Sequence, residues 1–342
     1  MIETGRECQK ISIGFKKLTS GSIITKRTSS KPICVRNIAF WDSEIEEIQA
    51  SAFSQVKTTY NFNINNVTIT KVSENAFSNM DIGGNMDIEK SNLTQVSGNA
   101  FKNISIVGEW VYKLKNRNRK VFKRGRLTIK DSKVGHLSEM SLSDIVVGSS
   151  IEIENSTIET VAYRAFNNIT VEGKGGKYLK RNGLKISKTR MAQVSTNAFN
   201  DVTIGRIMEK QTVPSYVTLS IQHSQFSHLK KSAFSGIKLG KVSVSPANNG
   251  AFICGWATFI DVEINAFEDG ALQLDKSWKT ENIINGKLNL TQECNCGMSK
   301  IVDSNDKNAI PFLFALQCGV YPESPSIWKV YADKWTNCVR FI

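Results

Sequence analysis

Apolar residues along this chain fall on a frame that repeats. From Met86 to Phe101 the apolar positions are Met86, Ile88, Leu93 and Val96, with Ser91 between them and Ala100-Phe101 closing the unit. One step earlier the frame reads Phe62, Ile64, Ile69, Val72, Ala76 and Phe77, and before that Ile38, Phe40, Ile45, Ile48, Ala52 and Phe53. These three copies lie 24 residues apart. A fixed period of this size predicts a solenoid, because one unit cannot bury its own apolar edge and must stack on copies of itself.

Later copies keep the internal offsets. They run Leu127, Ile129, Val134, Leu137 and Leu142; Ile151, Ile153, Ile158, Val161 and Phe166; Leu184, Ile186, Met191, Val194 and Phe199; then Leu219, Ile221, Phe226, Leu229 and Phe234. The last full coil is predicted over Phe252, Cys254, Phe259, Val262 and Phe267. Within a coil the first two apolar residues alternate with polar ones, the mark of a strand with one face inward. A second alternating pair follows the closing aromatic, as in Met80/Ile82, Ile104/Ile106 and Ile169/Val171. Glycine commonly comes next (Gly83, Gly108, Gly148, Gly173, Gly205 and Gly240), which predicts a corner with unusual backbone angles. The fold expected is therefore all-β: a right-handed parallel β-helix-like or leucine-rich-repeat-like solenoid of about eight coils. Residues 1–32 are read as an N-terminal cap, 33–286 as the solenoid and 287–342 as a C-terminal cysteine-rich cap.

Cysteine placement bears on the compartment. Cys8 and Cys34 flank the start of the repeats, Cys294, Cys296, Cys318 and Cys338 follow them, and Cys254 alone lies within. Clustering at both ends is what disulfide caps produce in an oxidising compartment, with Cys8 bonded to Cys34. A four-cysteine zinc site built from the last four is the alternative, and the Cys-x-Cys spacing argues for disulfides. Cys254, read as replacing an inward aliphatic, is expected to be a buried free thiol. Sequons occur at Asn66, Asn92, Asn103, Asn155, Asn168 and Asn289. No apolar run approaches the ~18 residues of a membrane-spanning helix. Nor is there an N-terminal apolar leader, which leaves a cytosolic chain or a mature secreted one. Cysteines and sequons together favour the extracellular reading.

The spacing Leu-x-Leu-x-x-Ser-x-Leu-x-x-Val-x-x-x-Ala-Phe resembles the extracellular leucine-rich repeat. Glu293-Cys294-Asn-Cys296, followed by Cys318 and Cys338, is similar to that family's C-terminal cap, and the resemblance implies two disulfides among those four cysteines. The chain departs from the family where a buried Asn ladder belongs, carrying Ser43, Val67, Ser91, Ser132, Ser156, Thr189, Ser224 and Ala257. Together with the strand-like pair after the closing aromatic, this pushes the cross-section toward the three-sided parallel β-helix of pectate-lyase-like proteins.

Charge and insertions carry the functional expectation. Net charge is +13. The unit spacing swells after Phe101, Phe166, Phe199 and Phe234, always between the second strand of one coil and the first strand of the next, which predicts inserts along one edge. The largest insert carries Lys113, Lys115, Arg117, Arg119, Lys120, Lys123, Arg124 and Arg126, interleaved with Trp110, Tyr112 and Phe122. The next adds Lys174, Lys177, Lys180 and Arg181. Such an edge would attract an acidic glycan or an acidic protein partner, and in an extracellular setting these outrank nucleic acid. A solvated loop on a hairpin base is the plain alternative.

Catalysis is not expected. His136, His223 and His228 form no zinc-ligand or triad-like motif, and no cofactor or metal is implied. Asp87 and Glu89 on one coil and Glu152 and Glu154 on another are separated by Thr128 and Lys130, which breaks up an acidic cluster. The reading is a secreted, non-enzymatic binding protein. A structural or adhesive matrix component, with self-association, is the second hypothesis, and a polysaccharide lyase or hydrolase the least favoured.

Overall fold

The computed structural model describes residues 11–28, 31–113, 119–123, 125–172, 182–205, 215–240, 253–268, 271, 274–275, 283–285, 288–290 and 316–318. Every regular element among them is a β-strand, and all pairings but one are parallel. A 19-stranded and a 10-stranded sheet wrap one continuous apolar core, coil upon coil. Each coil gives the larger sheet two strand segments, here called the first and second faces. In the middle coils these are Met86–Glu89 with Asn92–Val96, Arg126–Lys130 with Lys133–Leu137, and Ser150–Glu154 with Thr157–Val161. In Ile38–Ile48 and Phe62–Val72 one strand runs through both faces. The chain then crosses to the smaller sheet, the third face, as in Phe166–Val171 and Phe199–Ile204.

Register follows the hydrophobic frame. Ile38 pairs with Phe62, Phe62 with Met86, Met86 with Leu127, Leu127 with Ile151, Ile151 with Leu184 and Leu184 with Leu219. Like therefore stacks on like, and nearly every frame residue is under 5% exposed. The closing aromatics stack face to face: Phe53 on Phe77 at 5.2 Å, Phe77 on Phe101 at 4.9 Å, Phe166 on Phe199 at 4.7 Å and Phe199 on Phe234 at 4.9 Å. Such a pair contributes about 0.5–1.5 kcal/mol beyond the area it buries.

Between the first and second faces the backbone turns through one residue in the left-handed region. Asp42, Asn66, Lys90, Asp131, Asn155, Lys188, His223 and Asp261 occupy this corner in successive coils, with φ between 47° and 55°. The turn aims each corner N–H at the next coil: Lys90 donates to the Lys130 carbonyl at 2.9 Å, and Asp131 to that of Glu154 at 3.0 Å. The following residue is the hydroxyl position. Ser91 Oγ donates to its own coil's Glu89 carbonyl at 2.7 Å and accepts the Val67 N–H of the coil before at 3.1 Å. Ser132 and Ser156 accept from Ser91 and Ser132 in the same way, each at 3.1 Å. Serine hydroxyls thus bond coil to coil where the leucine-rich-repeat pattern calls for asparagine.

Two sequence expectations are corrected. The first concerns the last coil. Leu219 pairs with Ala257, Ile221 with Phe259, Phe226 with Ile264 and Leu229 with Phe267, so the inward strand pair is Ala257/Phe259 rather than Phe252/Cys254. Phe267 fills the slot of Leu229, Val262 rather than Ala257 follows the corner residue, and Cys254 pairs with Tyr216, outside the slot assigned to it. The apolar run around Phe252 imitates the frame, but a small inward Ala257 lets the true register stack.

The second correction concerns glycine. Gly108 and Gly205 have positive φ, but Gly83, Gly148 and Gly240 do not. They are needed for space: a Cβ on Gly83 would run into the Thr59 carbonyl of the neighbouring coil, and one on Gly148 would lie 2.6 Å from the Val107 carbonyl.

In the N-terminal segment Ile13–Lys16 and Ser22–Ile24 are strands paired with Ile38–Ile48, and the ring of Phe15 lies 4.6 Å from that of Phe40. At the other end, Ile283–Asn285, Leu288–Leu290 and Leu316–Cys318 continue the larger sheet past residue 286.

Candidate binding edge and outer faces

Insertions enter at one corner. Third-face strands ending at Ile106, Val147, Val171, Ile204 and Leu239 stack in register, and the chain leaves each of them to reach the first face. It re-enters at Arg126, Ser150, Gly183 and Thr218, again stacked in register. The roots of the inserts after Ile106, Val171, Ile204 and Leu239 therefore share one edge of the stack.

The first insert carries the only antiparallel pairing among the described residues. Glu109–Lys113 and Arg119–Lys123 form a two-stranded ribbon in which Trp110 pairs with Phe122 and Tyr112 with Lys120. By strand alternation, positions 110, 112, 120 and 122 fall on one face of that ribbon, and positions 111, 113, 119 and 121 on the other. Lys115, Arg117 and Arg124, and Lys174, Lys177, Lys180 and Arg181 of the second insert, lie outside the described residues. Arg126 opens the first-face strand at the root of the first insert. Its guanidinium sits 3.5 Å from Glu152, which Lys185 approaches from the other side at 3.3 Å. Burial pushes the Glu152 carboxyl up, but the Ser150 hydrogen bond, Lys185 and Arg126 outweigh it and hold Glu152 below its ordinary value.

The carboxylates of the first face are separated as the sequence predicts. Asp87 pairs with Thr128 and Thr128 with Glu152; Glu89 pairs with Lys130 and Lys130 with Glu154. Lys130 Nζ lies 3.9 Å from Glu154. His223 is exposed at a corner, its Nδ1 3.2 Å from Asp261.

Four of the sequon asparagines are corner positions. Asn66, Asn103, Asn155 and Asn168 are exposed, have positive φ, and donate through Nδ2 to the corner residue one coil earlier: Asp42, Asn79, Asp131 and Asp144, at 2.7–2.8 Å. Their Asn-x-Ser/Thr pattern follows from the coil: asparagine at the left-handed turn, an inward residue, then an outward hydroxyl on the strand. Asn92 is half-buried on a second-face strand, and no side chain is described at Asn289. Cys34 is disulfide-bonded. Its expected partner Cys8, together with Cys294, Cys296 and Cys338, lies outside the described residues, and Cys318 is described only as part of a backbone strand.

The sequence reading missed a cleft of about 210 Å³ on the outer first face, lined by Trp41, Asn61, Asn63, Ile64, Asn65, Asp87 and Glu89. Its signal was available: Trp41, Asn65 and Glu89 are spaced by the coil period and stack in register, as do Ala39, Asn63 and Asp87. Among the described residues no group of three or more His, Cys, Asp or Glu is arranged to hold a metal ion.

No family model matches this chain, and no curated protein or solved structure matches it. The fold and its surfaces therefore carry the functional argument alone.

Proposed function

We propose that the chain is a secreted, non-enzymatic binding protein, a rigid solenoid that presents a basic edge to an acidic glycan or protein partner. The observation that carries this reading is the stacking of the insert roots on one edge, since the two most basic inserts leave from that edge. Lys113, Lys115, Arg117, Arg119, Lys120, Lys123 and Arg124 and then Lys174, Lys177, Lys180 and Arg181 supply its charge. Two strand segments around a left-handed corner, plus a third-face strand in each coil as far as Leu239, favour a three-sided parallel β-helix over a leucine-rich repeat. Right-handed winding is the sense that parallel crossovers adopt. A disulfide at Cys34 is what an oxidising compartment sustains, with Cys8 its proposed partner and the C-terminal cysteines forming a second cap.

The test is retention on immobilised heparin. The intact chain is expected to elute at higher salt than on a plain cation exchanger of equal charge density. Replacing Lys113, Lys115, Arg117, Arg119, Lys120 and Lys123 with Gln should abolish that difference. Equal elution on both columns, or no change in the variant, would overturn the reading.

A further inference from the structure

Outward side chains of the first four coils form two rows. One runs Lys16, Trp41, Asn65 and Glu89; the other runs Gly14, Ala39, Asn63 and Asp87. The second row begins with a glycine and an alanine, so its floor is low. Trp41 leans across it: a Cβ on Gly14 would sit 2.8 Å from Trp41 Cζ3. Gly14 thus gives the indole room to lie on the sheet while 39% of the residue stays exposed. Beyond the ring lie the amides of Asn63 and Asn65, then the carboxylates of Asp87 and Glu89. Asn65 Nδ2 donates to Glu89 at 3.4 Å. Asp87 Oδ1 is buried and has no hydrogen-bond partner among the described residues, a costly state for a carboxylate oxygen.

We infer that this cleft is a binding site for a neutral pyranoside, one to two rings of an uncharged oligosaccharide. A sugar ring has an apolar C–H face and a rim of hydroxyls. The indole offers a flat apolar surface to the first, and the amides and carboxylates offer acceptors and donors to the second. Three coils span roughly 10 Å, enough for such a ligand. Charge selects against the alternatives. Asp87 and Glu89 repel an acidic sugar at short range, and the net charge of +13 repels a cation at long range. Its lining residues belong to the first face and not to the inserts, so the inference does not rest on the basic edge.

Titration calorimetry of the full chain with cellotetraose, mannotetraose and chitotetraose tests the inference, with an oligogalacturonate and spermidine as charged controls. Binding is expected for at least one neutral series and should be unmoved by about 0.5 M salt. Trp41→Ala is expected to weaken it on the order of tenfold, Trp41→Phe to retain most of it, and Asp87→Asn to weaken it several-fold. If Trp41→Ala does not fold, the Asp87→Asn and Trp41→Phe pair decides. The variant with the six basic residues of the first insert replaced by Gln should bind the neutral sugar as the native chain does, so failure here is separable from failure of the basic edge. No heat with any neutral sugar, affinity indifferent to Trp41→Ala and Asp87→Asn, or binding of a charged control alone would overturn the inference.

Discussion

Ser91 Oγ accepts the backbone N–H of Val67 across the gap between two coils, at 3.1 Å, in a place closed to solvent. The same oxygen donates to the Glu89 carbonyl, so one hydroxyl fastens its own corner and the coil before it. Removing it in Ser91→Ala strands a buried N–H and a carbonyl. A cost of about 1–3 kcal/mol is expected, read as a lower denaturant midpoint with an unchanged slope.

Phe77 is sandwiched between Phe53 and Phe101 and is fully buried. Phe77→Ala should destabilise by about 3–5 kcal/mol, since the rigid coils on both sides limit collapse of the cavity. Phe77→Leu should cost much less, because Leu142 fills the equivalent slot between Phe101 and Phe166 in the native stack. Chemical denaturation of the two variants checks the order.

Asn155 holds a left-handed corner at φ 47° and bonds Asp131 at 2.7 Å. Asn155→Gly should be close to neutral, whereas Asn155→Val should cost about 1–2 kcal/mol, because a β-branched residue tolerates that backbone poorly. Asn155→Asp keeps the corner geometry but sets one carboxylate against another. Its deficit should shrink as pH falls and the pair takes up a proton, which thermal melts at two pH values would reveal.

Glu152 sits between Arg126 and Lys185 with its carboxyl held below its ordinary value of 4.5. A depressed carboxylate contributes stability that is fully present above the unfolded-state value. That contribution is lost as pH falls through the folded-state value. Glu152→Gln should therefore melt below the native chain at pH 6, and the two curves should converge in strong acid. Parallel curves at every pH would show that the ion pairs contribute nothing.

Much of this fold is written in the alternation of residues such as Met86, Ile88, Leu93 and Val96, because burial of one strand face in a stack leaves few substitutes. The corners are far less legible. Lys90, Lys188 and His223 occupy the same left-handed position as Asn66 and Asn155, since the next coil's carbonyl stabilises the turn whatever the side chain. The last coil misled for a related reason: Phe252, Cys254 and Phe259 show the frame's spacing, and only stacking on Leu219 and Ile221 reveals Ala257 and Phe259 as the inward pair. The cleft beside Trp41 escaped notice because its residues belong to three different periods, and periodicity directs attention inward. Its outward rows become visible only when the coils are superposed.

The single corner through which all the inserts pass has a consequence for how such a chain can change. Strand pairing across the other two corners ties each coil to its neighbours, so an added or lost residue there would shift every later rung. At the insert corner the chain can lengthen by a few residues or by dozens and rejoin the stack in the same alignment, as it does between Ile106 and Arg126. Recognition loops are thereby free to diversify without renegotiating the scaffold. Whole rungs could likewise be duplicated or dropped as units, each carrying its own lateral bonds with it.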